Sequence, residues 1–210
     1  MSAQRGRFIV FEGIDGSGKT TQARLLAEYL RGQGREVHVT AEPTPFPSGI
    51  ALREALGGKV KKTECQMAVM FVEDRIVHNI HPTEGIEALL ERGVDVICDR
   101  YYYSSLAYQG QSTDYAWVKA MNLSCPEIRR PDLCIYVDLL PEQSLERISR
   151  GREAVEIYEN IETLTAVRNR FLSVIRDLGD TDNICIVDGY RPIEDISADI
   201  CAVVSKMMNK

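Results

Sequence analysis

No apolar stretch in this 210-residue chain is long enough to cross a bilayer as a helix, which excludes a helical membrane protein. Basic residues never cluster beyond Lys59-Val-Lys-Lys62, a short segment that reads as a solvated loop, and the formal net charge is −6. A polynucleotide must be met by a basic stripe, so nucleic acid is not expected as a partner. The six cysteines (Cys65, Cys98, Cys125, Cys134, Cys185 and Cys201) form no C-x-x-C pair and no metal-ligand spacing. Four of them sit in apolar runs, as small core residues of a reducing compartment do. The opening Met-Ser-Ala-Gln-Arg-Gly-Arg leads into a strand pattern without the features of a signal peptide, so the expected location is the cytoplasm. No repeat, low-complexity tract or linker divides the chain, and 1–210 reads as one domain with one sizeable core. The guanine signature N-K-x-D is missing, as is a D-x-x-G after residues 95–98, which argues against a GTPase.

What is present is an alternation of short β-rich runs with helical stretches. Strands are expected over 8–12, 36–41, 95–98, 133–138 and 183–187. Helices are expected around 19–31, 49–56, 64–80, 83–91, 115–123, 141–150, 157–178 and 192–208. That order predicts an α/β fold, a five-stranded parallel sheet with helices on both faces. Gly32, Gly34 and Gly93 mark helix ends, Pro141 suits a first helical residue, and His81-Pro82 interrupts the apolar pattern between 64 and 91. The polar stretch at 149–157 carries Arg150 and Arg152 around Gly151 and reads as a short arginine-bearing lid.

Residues 13–20, Gly-Ile-Asp-Gly-Ser-Gly-Lys-Thr, match G-x-x-x-x-G-K-[ST] in full, between an apolar strand and a helix. Such a turn points backbone N–H groups at one spot where the helix dipole also favours negative charge. The expected nucleoside triphosphate site is therefore Gly13, Ile14, Asp15, Gly16, Ser17, Gly18, Lys19 and Thr20. Lys19 would reach the outer phosphates and the Thr20 hydroxyl would hold Mg²⁺. Asp99, at the carboxyl end of the 95–98 strand, is placed to reach that ion or its waters, and the adjacent Arg100 to meet a second phosphate. An arginine-bearing lid suits phosphoryl transfer, which depends on positioning, charge stabilisation and exclusion of water.

The chain resembles the thymidylate kinase family, and the resemblance spans essentially its whole length. The segments that carry it begin at Phe11 (Phe-Glu-Gly-Ile-Asp-Gly-Ser-Gly-Lys-Thr-Thr-Gln), Glu42 (Glu-Pro-Thr) and Phe71 (Phe-Val-Glu-Asp-Arg). Two more begin at Asp99 (Asp-Arg-Tyr-Tyr-Tyr-Ser-Ser-Leu-Ala-Tyr-Gln-Gly) and Arg130 (Arg-Pro-Asp-Leu-Cys-Ile-Tyr-Val-Asp), the last followed by Pro141-Glu142. The resemblance implies a P-loop nucleotide kinase fold and transfer of the γ-phosphate of ATP, with Mg²⁺, onto dTMP. It also implies a homodimer formed through packed helices, for which 64–80 is available, although the same helix could serve as core.

By that resemblance Asp15 faces away from ATP and binds the acceptor 3′-hydroxyl, Phe71 stacks on thymine and Arg75 hydrogen-bonds the base. Tyr108 packs under the deoxyribose, with Ser105 and Gln109 completing base or sugar contacts. Arg100 is the candidate for the acceptor phosphate because a guanidinium fork suits bidentate phosphate binding, and Arg53 is a second arm or a solvated helix residue. Some of the neighbouring tyrosines read as packing only. One style of the family carries a catalytic arginine after the P-loop aspartate. Here that position is Gly16, so the catalytic cation is expected from the lid, Arg150 or Arg152, beside Lys19 and Asp99. Arg147 reads as a lesser candidate, and Asp188-Gly189 as an adenine contact or a simple turn. Another P-loop phosphotransferase, or a nucleotide-binding switch without transfer, is the competing reading.

Overall fold

The structure, a computed structural model, describes residues 5–151 and 160–209, without the side chain of Arg150. In chain order the elements are β1 (Phe8–Glu12), α1 (Lys19–Gly32), β2 (Val37–Ala41), α2 (Pro47–Leu56), α3 (Glu64–Ile80), α4 (Ile86–Glu91) and β3 (Asp95–Asp99). They continue with α5 (Tyr102–Ser112), α6 (Tyr115–Leu123), β4 (Leu133–Asp138), α7 (Pro141–Gly151), α8 (Ile161–Leu178), β5 (Ile184–Asp188) and α9 (Ile193–Met208). The five strands form one parallel sheet in the order β2-β3-β1-β4-β5. Register aligns Phe11 with Asp99 on one side of β1 and Glu12 with Tyr136 on the other, so the carboxyl ends of β3, β1 and β4 open on one edge. In open α/β sheets that edge is where ligands bind.

β1 is buried along its whole length because helices cover both faces of the sheet. Alternate side chains divide between two cores. Phe8 and Val10 join Leu106, Phe171 and Val174 of α5 and α8, while Ile9 and Phe11 join Leu26 and Leu30 of α1 and Ile200 and Val204 of α9. The first core is rich in aromatics, with the Phe8 ring edge-on to Tyr101 at 5.1 Å between centroids. Cys98 and Cys134 are buried in it, Cys125, Cys185 and Cys201 are half-buried, and Cys65 is exposed. All six are free thiols.

Several expected bounds shift for local reasons. The helix expected at 83–91 begins at Ile86, after the turn that follows His81-Pro82, with Gly85 at its N-cap. Its cap Gly85 admits no Cβ, which would fall 2.5 Å from the His81 carbonyl oxygen. The helix expected from 157 starts at Ile161, where the Asn160 side chain accepts from the Thr163 N–H at 2.8 Å. Residues 149–151, expected in the lid, belong to α7. Arg152, the side chain of Arg150 and the rest of the expected lid lie outside the described residues. α5 was not expected at all. Its residues Tyr102 to Ala107 are all buried, so no polar face marks a helical period. Among the described residues no helix is long and apolar enough to cross a membrane.

Candidate active site

The loop between β1 and α1 takes backbone conformations that exclude ordinary side chains. Gly13 has φ +145, and a Cβ there would lie 2.6 Å from the Val137 carbonyl oxygen. Gly16, at φ +72, would bring its Cβ to 3.0 Å from the Ser144 carbonyl oxygen of α7. α7 is seated directly on this loop: the Ser144 hydroxyl donates to the Asp15 carbonyl, and Arg147 donates to the Gly189 carbonyl at 2.8 Å and the Ser17 carbonyl at 3.4 Å. Arg147, which sequence alone left as a minor candidate, thus bridges the glycine loop and the connection after β5. Gly189 lies as tightly against the neighbouring strand, its N–H donating to the Asp138 carbonyl at 2.7 Å.

Lys19, on the first turn of α1, is buried and donates to the Ile14 carbonyl at 2.8 Å. Burial, together with the Arg100 charge, pushes its ammonium down to about 8, partly offset by Asp99, Asp15 and Glu12. Thr20 follows with an exposed hydroxyl that donates to Asp99 Oδ2 at 2.5 Å. Asp99 Oδ1 is buried and has no hydrogen-bond partner among the described residues. A hydroxyl and a carboxylate that close, with one oxygen unsatisfied, form the hard oxygen donor set that a magnesium ion takes. No cluster of three or more His, Cys, Asp or Glu residues arranged for a metal occurs among the described residues.

Directly after Asp99, Arg100 adopts φ +70, a left-handed conformation that is uncommon for a side chain of this size. Its guanidinium donates to Asp15 Oδ1 and to Ser104 Oγ at 3.1 Å, and it sits 5.5 Å from the centroid of the Tyr108 ring. Burial works against its charge, yet Tyr108, Asp15, Glu12 and Asp99 hold the group above its ordinary value.

Glu12, unassigned from sequence, is what holds this turn. Its carboxylate is wholly buried and accepts from the Tyr101 N–H at 2.8 Å, the Ser104 N–H at 3.1 Å and the Ser104 hydroxyl at 2.7 Å. α5 has no side-chain cap of its own, and Glu12 supplies one from the adjacent strand. Burial raises it to about 7, against the lowering effect of Arg100 and these hydrogen bonds. A lone charge closing the apolar run Phe8 to Phe11 was the sequence signal for it.

The remaining candidates divide. Arg75 is 1% exposed, and its guanidinium is engaged by Glu42, Ser105 and Asn122. Ser105 is therefore at Arg75, while Phe71, one turn earlier on α3, is half-buried. Tyr108 and Gln109 are half-buried on α5. Arg53 is exposed on α2 and donates to the Pro43 carbonyl at 2.6 Å and the Thr44 carbonyl at 2.7 Å. That segment is pinned to α3 by Asp74, which accepts from the Thr44 N–H at 2.8 Å and the Ser48 hydroxyl at 2.8 Å. Tyr102 and Tyr103 point elsewhere, donating to Asp182 at 2.6 and 2.8 Å. The structure thus brings Asp15, Lys19, Thr20, Asp99 and Arg100 together at one sheet edge.

A strand, a glycine loop and a helix carrying Lys19 and Thr20, with Asp99 and Arg100 on the neighbouring strand end, define a P-loop phosphate-binding α/β protein. A family model described as thymidylate kinase matches residues 11–200. A probable thymidylate kinase of Pyrococcus horikoshii is 41% identical over 206 residues, covering 95% of this chain and 96% of the relative. One of Methanococcus aeolicus is 39% identical, covering 97% of each chain. A thymidylate kinase of Ruegeria pomeroyi is 34% identical, covering 98% of this chain and 97% of its own. The chain belongs to the thymidylate kinase family.

Proposed function

We propose that the chain is a thymidylate kinase that transfers the γ-phosphoryl group of ATP to dTMP in line, giving dTDP and ADP. The observation that carries this reading is the Arg100–Asp15 pair at the mouth of the glycine loop. It joins an acceptor-side guanidinium to the donor's phosphate loop, in a chain that matches thymidylate kinases along nearly all its length.

The backbone N–H groups of 13–20 and Lys19 bind the phosphates of ATP, and Arg100, with Arg53 as second arm, binds the phosphate of dTMP. Asp15 repels phosphate and so serves the acceptor sugar hydroxyl, which is a donor. Phe71 offers a ring to the base, Arg75 and Ser105 hydrogen-bond it, and Tyr108 and Gln109 flank the sugar. Thr20 and Asp99 would hold the magnesium ion that accompanies ATP, which when bound neutralises charge on the outer phosphates. A monophosphate oxygen is already nucleophilic, so no general base and no covalent enzyme intermediate are required. The remaining cation comes from the 149–157 segment, through Arg150 or Arg152. The protein works in the cytoplasm as a homodimer. The dimer is supported by the apolar groove of Cys65, Val69, Met70 and Trp117, on which Val69 is 47% exposed.

The test is ADP release with dTMP, dUMP, dCMP, dGMP, AMP and thymidine as acceptors. The reading expects dTMP to be the preferred acceptor. Preference for thymidine would make the chain a nucleoside kinase, and ATP binding without transfer to any acceptor would make it a switch.

A further inference from the structure

The Ser144 hydroxyl reaches outside its own helix. Ser149, Thr165, Ser173 and Ser205 each donate to a carbonyl three or four residues back in the same helix, at 2.6–3.0 Å, which is the local bond such side chains ordinarily make. Ser144, wholly buried on α7, donates instead to the Asp15 carbonyl of the glycine loop, 129 positions away. Packing alone would not require this. The Leu140 carbonyl one turn back, which accepts the Ser144 N–H at 3.0 Å, has a second lone pair for a hydroxyl.

Ser144 shares a helix face with Arg147 and Ile148, three and four residues on. The Arg147 guanidinium donates to the Ser17 carbonyl at 3.4 Å and to the Gly189 carbonyl at 2.8 Å. A Cβ at Gly16 would fall 3.1 Å from Ile148 Cγ1 and 3.2 Å from Ser144 Oγ. One face of α7 therefore meets the loop at Asp15, Gly16 and Ser17 in turn. Ser144 is the member of that face that holds the peptide between Asp15 and Gly16.

That peptide adjoins both halves of the proposed reaction. It is trans, so its carbonyl and the Gly16 N–H point in opposite directions. With the carbonyl fixed on α7, the Gly16 N–H is turned away from that helix, into the cradle where the loop gathers its N–H groups. The Asp15 side chain, on the same residue, is paired with Arg100 on the acceptor side. We propose that Ser144 is a positioning residue for phosphoryl transfer, which aims the Gly16 N–H at the donor phosphates and fixes their distance from the acceptor held by Asp15 and Arg100. The inference rests on the dTMP-kinase reading. A backbone donor stabilises developing charge best when it is aimed before the reaction begins, and a small misplacement of the reacting groups costs rate more than binding.

Ser144→Ala, Ser144→Thr and Ser144→Cys are compared with the wild-type chain for kcat, KM for ATP and for dTMP, and Tm. The Gly16 amide resonance is followed by NMR in isotope-labelled chain as ATP and Mg²⁺ are added without dTMP. Ser144→Ala is expected to lower kcat by at least about tenfold while both KM values stay within about threefold, and to shrink the shift of the Gly16 amide on ATP binding. Ser144→Thr keeps the hydroxyl and is expected to recover most of both. If Ser144→Ala does not fold, Ser144→Cys, of similar shape but a weak donor, must show the same losses. A folded Ser144→Ala or Ser144→Cys with kcat unchanged, or with kcat lowered while the Gly16 shift stays as in wild type, overturns this inference and leaves the kinase assignment standing. So does a folded Ser144→Thr that recovers neither. A wild-type chain that does not phosphorylate dTMP brings down the assignment and this inference together.

Discussion

Arg100 donates to Asp15 across the mouth of the glycine loop, so a cation on the end of β3 and an anion within the phosphate loop are held as one unit. Both side chains remain partly exposed, at 22% and 37%, and an exposed pair contributes roughly 0–1 kcal/mol to stability. Arg100→Ala is therefore expected to leave Tm nearly unchanged. It is expected to lower kcat/KM for dTMP by on the order of 10²–10³. Steady-state kinetics beside a thermal melt check this. A large fall in Tm with a proportionate fall in activity would mean that the pair is structural.

Lys19→Met is expected to abolish turnover while the fold persists, because it removes the ammonium seated inside the loop against the Ile14 carbonyl. The pH dependence carries a sign. Burial and Arg100 bring Lys19 from 10.5 to about 8, so between these values the unfolded chain binds the extra proton and stability rises with pH. Below about pH 8 the full cost of burying the charge is present. The Lys19→Met variant should therefore gain most over wild type at pH 7 and lose most of that advantage by pH 10, as read by melts across the range.

Glu12 gives the opposite window. Its pKa rises from 4.5 to about 7 on folding, chiefly through burial, so the folded chain binds the extra proton between these values and wild-type stability falls as pH rises. Glu12→Gln mimics the protonated acid and keeps an acceptor for the Tyr101 and Ser104 N–H groups. The difference in Tm between Glu12→Gln and wild type is expected to widen in favour of the variant from pH 5 to pH 7. Glu12→Ala removes the acceptor and is expected to lower kcat by on the order of 10², through the Asp99–Arg100 turn.

Gly16→Ala puts a Cβ against Ser144 and Ile148 of α7 at 3.0–3.1 Å, at φ +72. The left-handed backbone alone costs about 1–2 kcal/mol. The variant is expected to melt several degrees lower and to bind ATP more weakly, as titration calorimetry would measure. ATP affinity equal to wild type would show that α7 does not hold the loop in its binding shape.

What was legible in the sequence is what local order determines. The glycine loop can be read because its chemistry depends on residue spacing. β1, β4, α3 and α6 agree with their expected bounds because strand apolarity and helical caps mark their ends, as at Thr63, whose hydroxyl accepts from the Gln66 N–H while the Gln66 side chain returns to the Thr63 N–H. α5 was missed because its first six residues, Tyr102 to Ala107, are all buried and show no amphipathic period. The partners of Arg75 were missed for a different reason. Glu42 is 33 positions from it and Asn122 is 47 away, and only the packing of α3 against the segment after β2 and against α6 brings them together. The same holds for Thr20 and Asp99, 79 positions apart, although each could be singled out from its own motif.

The most direct measurement of the central claim is the affinity of a compound joining adenosine to thymidine, 5′ to 5′, through a chain of phosphates, compared with ATP and dTMP measured singly. Two nucleotide sites that converge on Lys19 and Arg100 predict that the joined compound binds at least about 10²-fold more tightly than either nucleotide, and that Arg100→Ala erases most of that gain. Affinity no better than that of ATP alone would contradict the account.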